Sequence, residues 1–444
     1  MSVAAGGATW PRVARLAMVQ ASLGGIVVLM TSTLNRVMVV ELALPAALPG
    51  ILVALHYALQ LSRPYTGFGS DRTGRRTPWI WGGMAILGLG ATGAAAATWL
   101  MAEHFVLGLL ANVLAFLAIG VGVSMTGTPF LALLAEQVAP ERRGGAAALT
   151  WLTMIVGFII STVLAGSLLD PFSLPRLVAV VGLISAIAMV LTVLATVGVE
   201  PRQAPRVSAA TAAARPDFLK EVRGILADER TRKFSIFVFL SMLAFSAQDL
   251  ILEPFAGRVF AMTPGETTRI AGTMNGGMLL GMLLAAVFSQ RFGSLRAWAT
   301  GGCAMSAVAL LALAASPLFG STLVLKGIIF ALGTSNGAFA IGAIGSMMAL
   351  TTEAGDAAVG TRMGVFGAAQ GVASGLGGLM GAVASDVGRA AFGSVEVGYG
   401  AVFVVEALMF AGAAVLASRS AAGAPGAMRR ALERNGDAML EAVT

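Results

Sequence analysis

Gly67-Phe68-Gly69-Ser70-Asp71-Arg72-Thr73-Gly74-Arg75-Arg76 lies between two apolar segments, each long enough to cross a bilayer. A glycine turn carrying one carboxylate and a cluster of guanidiniums suits a short hairpin between two membrane helices at a cytoplasmic surface. Gly67 and Gly74 permit the turn. Asp71 is placed to cap a helix N-terminus, and the arginines reach headgroup phosphates or facing carboxylates. Arg75 and Arg76 read equally well as plain positive-inside anchors.

The rest of the chain agrees with a membrane setting. Hydrophobic residues make up 57% of it and charged residues 11%, where a soluble globule has about a quarter charged. The apolar runs recur at the length a helix needs to span hydrocarbon, and no alternating barrel pattern interrupts them. The reading is an all-α integral membrane protein. Met1 to Pro11 lacks the charged n-region, short apolar core and cleavage site of a removable signal peptide. The single cysteine, Cys303, sits in an apolar run and has no partner for an internal disulfide. The net charge of +7 sets topology and does not point to nucleic acid.

Apolar runs read against their punctuation predict twelve transmembrane helices. They begin near Leu16, Ala46, Trp79, Val106, Ala146, Leu177, Phe234, Thr268, Ala297, Thr322, Met363 and Val397. With the N-terminus cytoplasmic, roughly 22 basic residues fall inside, against Arg36, Arg176, Arg258, Arg269 and Arg389 outside. Both termini are therefore expected in the cytoplasm. The long polar interruption divides the chain into an N-terminal six-helix bundle (1–199), a cytoplasmic linker (200–233), a C-terminal six-helix bundle (234–418) and a cytoplasmic tail (419–444). The bundles read as duplicated. Asn35-Arg36 recurs as Gln248-Asp249, Arg72-x-Gly74 as Arg291-x-Gly293, and the stretch 136–143 as 353–362, at offsets near 213, 219 and 217.

Ionisable groups inside spans are costly and so become candidates for function. Arg36 lies toward the outer end of the first span, and Asp249 and Glu253 are four apart on one face of the seventh. The duplication places them at similar depth. An ion pair closing the outer side of a central cavity is one expectation; separate snorkelling to the interface is the other. Asn35 and Gln248 accompany these charges. Lys326 and Glu406, in the tenth and twelfth spans, either pair or reach water. Gly277-x3-Gly281 and Gly377-x3-Gly381 read as sites of close helix approach.

The Gly67, Asp71, Arg72, Gly74 set resembles the signature loop of the major facilitator superfamily, which implies a latch between the two halves on the cytoplasmic side. Gly69 departs from that pattern, where a leucine-like residue is common. Residues 33–42 and 248–257, with Arg63-Pro64, Pro78-Trp79-Ile80-Trp81 and the Ser70-Asp71 pair, resemble a narrower group, the PucC/LhaA family of photosynthetic bacteria. The loop from Asp71 to Pro78 is shorter than in PucC, which favours the biosynthesis-linked accessory branch. The resemblance implies a membrane factor that assembles light-harvesting complexes and handles bacteriochlorophyll. It also implies a bacterial inner, intracytoplasmic membrane, with antenna polypeptides or pigment-synthesis enzymes as partners.

No cofactor is required by the pattern, and bacteriochlorophyll enters as a bound ligand. His56, the one histidine inside a span, reads either as a chlorin ligand or as a hydrogen-bonded core residue. The alternative function is a proton-coupled secondary transporter of an amphipathic small molecule, protonated at Asp249 or Glu253. Against it, the fourth span (112–122) has no intramembrane arginine and the fifth (157–166) no Gly-Pro kink. Catalysis by prenyl transfer is not expected, because no paired Asp-x3-Asp motif is present to hold magnesium diphosphate.

Overall fold

The computed structural model describes residues 8–63, 66, 69–70, 73–138, 143–200, 229–288, 294–352 and 359–421. Among them are twelve long helices and no strand: α1 (Trp10–Leu29), α2 (Ala47–Leu59), α3 (Thr77–Glu103), α4 (Phe105–Gln137), α5 (Arg143–Leu168), α6 (Leu174–Thr196), α7 (Glu229–Val259), α8 (Pro264–Phe288), α9 (Leu295–Ala315), α10 (Thr322–Thr352), α11 (Val359–Phe392) and α12 (Val395–Ala421). Ten spans are long and apolar enough to cross a membrane, and α2 is the shorter apolar helix. Most of the linker and tail, residues 201–228 and 422–444, lies outside the described residues. Helix α7 starts at Glu229, within the stretch read as linker.

Local chemistry sets the helix starts. Pro11 occupies the first turn of α1, where its missing N–H costs nothing. Ser173 and Ser294 cap α6 and α9 by accepting from Arg176 N and Ala297 N. Helix α1 does not stop at Leu29. It continues through two π turns, Met30–Leu34 and Val37–Glu41, on either side of Asn35-Arg36.

In the N-terminal half α3 packs on α4 and α6, and α1 on α5 and α6; in the C-terminal half α8 and α9 pack on α10, and α7 on α11 and α12. The halves meet along two seams, α5 with α8 and α2 with α11. Equivalent helices begin at a near-constant separation: Ala47 and Pro264 are 217 residues apart, Arg143 and Val359 are 216. The chain is thus two pseudo-symmetric six-helix bundles. At this separation Arg36 corresponds to Glu253, so the Asn35-Arg36 match to Gln248-Asp249 runs about one helical turn out of register. Apolar side chains such as Leu89, Val106, Leu110, Leu114 and Leu194 point outward, where hydrocarbon covers them.

Gly69, the departure from the latch pattern, has a local cause. A Cβ there would come within 2.5 Å of the Trp79 ring, and the Trp79 indole donates to Thr73 Oγ1 at 2.9 Å. The ring occupies the space that a leucine would take. Gly69→Leu is expected to destabilise the purified protein by about 1–3 kcal/mol, and adding Trp79→Ala should recover part of the loss. Thermal denaturation in detergent measures both; equal melting of wild type and Gly69→Leu would refute the contact.

Candidate functional site: the clasp between the halves

The π-wound end of α1 lies against α7 and α8 on the face of the bundle opposite the loop residues 73–76 that lead into α3. Ser32 Oγ donates to Glu253, the Thr33 and Thr268 hydroxyls lie 3.1 Å apart, and Asn35 Nδ2 donates to the Leu250 carbonyl at 2.6 Å. Arg36 donates to the Met262 carbonyl at 2.7 Å, and Arg258 donates to the Val39 carbonyl. All of these bonds join the N-terminal half to the C-terminal half. A single-turn π segment inside a helix often marks a functional position, and here it carries the contact.

Arg36 is 2% exposed, and its ion pair is with Glu41, not with Asp249 or Glu253. The π turn explains the difference. In an α-helix residues five apart point about 140° away from each other; the wider turn of Val37–Glu41 brings Glu41 beneath Arg36. Gly257 makes room on the other side, since a Cβ there would sit 3.1 Å from the guanidinium. Glu253 is 2% exposed and takes its hydrogen bond from Ser32.

Two carboxylates that hydropathy does not single out complete this face. Asp170, just beyond α5, accepts from Thr263 Oγ1 at 3.1 Å and Arg269 at 3.0 Å at the N-terminal end of α8. Asp386 on α11 accepts from the backbone N–H groups of Ala46 and Ala47, at 3.1 and 2.8 Å, at the start of α2. Each carboxylate therefore sits on the positive end of a helix from the other half. The two are 216 residues apart, the separation of the duplication.

On the loop face Gly67, Asp71 and Arg72 lie outside the described residues. Gly74 has φ of 65°, the left-handed turn that glycine permits. Arg75 is exposed. Arg76 donates to Ser70 Oγ at 2.6 Å and to Glu136 at 2.9 Å. The start of α3 is capped by Glu200, which accepts from Arg76 N at 2.6 Å and Thr77 N at 3.0 Å. Glu200 was legible only as an acid at the head of a basic stretch.

His56 is fully enclosed. Its Nε2 lies 3.0 Å from Gln60 Nε2, and Tyr57 packs edge-on at 4.9 Å. The ring is closed to a chlorin in this conformation, and its Nδ1 has no hydrogen-bond partner among the described residues. Asp249 is half-buried, in electrostatic range of Tyr57 and Glu406. Gln248 is fully buried. Lys326 is exposed while Glu406 is 1% exposed, and the two form no pair.

The fold has counterparts among solved structures. A solved bacterial homologue of the human lysosomal transporter Spinster, inward-facing and unoccupied, superposes with a TM-score of 0.69 at 17% identity, covering 93% of this chain and 98% of that one. The fold is the major facilitator fold. The chain is 46% identical over 428 residues to the bacteriochlorophyll synthase 44.5 kDa chain of Rhodobacter capsulatus, covering 94% of this chain and 98% of the relative. It is 32% identical over 380 residues to protein PucC of Cereibacter sphaeroides, covering 82% and 80%. The family model described as PUCC protein matches residues 33–423, which takes in the second π turn and all of α2 through α12, and the chain belongs to that family.

Proposed function

We propose that this protein is a membrane assembly factor for light-harvesting complexes, which binds bacteriochlorophyll as cargo and passes it to antenna polypeptides. The observation that carries the reading is the family match over residues 33–423, joined to a relative, 46% identical, whose name ties it to bacteriochlorophyll. Its setting is the bacterial inner membrane with both termini cytoplasmic, so that the clasp face is periplasmic. Its partners are antenna polypeptides or pigment-synthesis enzymes. It has no catalytic role of its own.

The interior suits cargo of this kind. Met154, Phe158, Phe245 and Leu279 are partly buried around the α5–α8 seam, a soft apolar surface that fits a macrocycle with a hydrocarbon tail. His56 does not fit as its axial ligand, and no step is assigned to it. The absorption spectrum of the protein purified from its native membrane tests the reading. Bound pigment is expected to absorb at the wavelengths of bacteriochlorophyll or its precursors, and His56→Leu should leave that spectrum intact. A colourless preparation, together with normal antenna in a deletion strain, would overturn it.

The fold and the half-buried Asp249 favour one second reading, a proton-coupled transporter of an amphipathic small molecule. Proteoliposomes with an imposed pH gradient separate the two, since an assembly factor gives no concentrative uptake.

A further inference from the structure

The core of the C-terminal half is layered. Toward the clasp face, Phe255 meets Tyr399 and Phe403 with ring centroids 5.7 and 5.0 Å apart. Toward the loop face, Phe339 meets Phe237 and Phe410 at 6.0 and 6.3 Å. Helical spacing places a polar level between these aromatic layers. Gln248 is two turns before Phe255 on the same face of α7, Glu406 lies between Phe403 and Phe410 on α12, and Asn336 is one turn before Phe339 on α10.

This level is sealed. Gln248 and Asn336 are 0% exposed and Glu406 is 1% exposed. The Ser306 hydroxyl donates to Asn336 Oδ1 at 2.8 Å. Gln248 Nε2 and Oε1, Asn336 Nδ2 and both Glu406 oxygens have no hydrogen-bond partner among the described residues. Each such group costs about 1–3 kcal/mol if left empty-handed, and a bare carboxylate without a counter-charge costs several kcal/mol more. Three such side chains at one level of a membrane protein, one of them a carboxyl, call for a small partner that meets them.

The composition of the unpartnered atoms identifies it. Two are N–H donors and three are acceptors, so the occupant must both accept and donate. A metal ion does neither toward an N–H and is repelled by it. Water does both, and a proton on the carboxyl removes the uncompensated charge. The titratable groups that face the level supply no counter-cation. Asp249 from α7 is acidic, Tyr399 on α12 itself is neutral when protonated, Arg258 of α7, in electrostatic range of Tyr399, is held at the Val39 carbonyl, and Asp386 and Arg389 of α11 pair with each other near its far end. Lys326 of α10 is exposed. We propose that Gln248, Asn336 and Glu406 enclose a proton site, in which the Glu406 carboxyl carries one proton and bound water bridges it to the two carboxamides. The site rests on the packing of the C-terminal half and is independent of the pigment reading.

Infrared difference spectroscopy of the full chain in lipid nanodiscs, between acidic and alkaline buffers in H2O and D2O, tests it. The expected result is the carbonyl stretch of a protonated carboxylic acid, shifted in D2O, absent in Glu406→Gln and kept in Asp249→Asn and Glu253→Gln. Gln248→Leu should move its frequency by removing a hydrogen-bond partner. Should Glu406→Gln fail to fold, Gln248→Leu decides alone: a moved band supports the site, an unmoved one overturns it. A band that survives Glu406→Gln would also overturn it. So would a melting temperature that rises with sodium at constant ionic strength and loses that dependence in Gln248→Leu, since that behaviour belongs to a metal ion.

Discussion

Gly281→Ala combined with Gly337→Ala is expected to leave little folded protein at temperatures where the wild type is intact, whereas Gly276→Ala with Gly301→Ala should melt with the wild type or slightly above it. The four sites are all glycines in helices α8, α9 and α10, and only their surroundings differ. A Cβ at Gly281 would come to 1.9 Å from the Thr334 carbonyl oxygen, and one at Gly337 to 2.0 Å from the Met278 carbonyl oxygen. Gly277 and Gly333 meet the Phe330 and Met274 carbonyl oxygens in the same way, at 2.3 and 2.1 Å. The backbones of α8 and α10 are thus in direct contact along two turns, and added methyls have nowhere to go unless the helices separate. At Gly276 and Gly301 nothing lies within 4 Å.

Overpacking costs about 1–3 kcal/mol per site, and the two crowded sites act on one crossing, so their effects combine. At the open sites alanine gains up to about 1 kcal/mol of helix propensity over glycine. Fluorescence-detected size exclusion after heating reads both doubles directly. If they melt together, the α8–α10 crossing is not as close as the structure has it.

Much of the architecture was legible because bilayer thickness, more than packing detail, sets it. The start near Thr322 coincides with α10, and those near Ala46, Val106 and Val397 fall within two residues of α2, α4 and α12. Starts near Leu16 and Phe234 came late, because the first turns of α1 and α7 carry Arg12, Arg15, Arg230, Arg232 and Lys233, which hydropathy excludes although they are helical. The duplication was legible from loop spacings. One of its three matches was a turn out of register because it paired residues by polarity, where depth is the quantity the repeat conserves.

The site was harder to read for a different reason. The Arg36–Glu41 pair needs a π turn, and α-periodicity places those side chains on different faces. Asp170 acts through the Thr263 hydroxyl and the Arg269 guanidinium, while Asp386 and Glu200 act through backbone N–H groups at the starts of other helices. That chemistry leaves no mark on the sequence of the helix being capped. A buried carboxyl such as Glu406 stood out by cost alone, but the neighbours that define its level come from three other helices.

Neutralising both clasp carboxylates, Asp170→Asn with Asp386→Asn, is the variant expected to move the two halves most while leaving each half folded. Asparagine keeps the volume and one acceptor but loses the charge that faces the starts of α8 and α2. A hydrogen bond to a charged group is worth about 1.5–3 kcal/mol, and the two sites lie on different seams, so their losses should add. A shift of about 3 kcal/mol or more changes the ratio of clasped to unclasped forms by over a hundredfold. Spin labels at Glu103→Cys in the N-terminal half and Leu318→Cys in the C-terminal half both stand on the clasp face, and the native Cys303 is buried and silent to labelling. The double variant is expected to add a longer-distance population between the labels, with each single variant intermediate. The sign follows from geometry: every interhalf bond described at this face closes it, so weakening them opens it. A distance distribution identical to wild type would mean that the α1 contacts to α7 and α8, centred on Arg36 and Asn35, hold the face shut without the two aspartates.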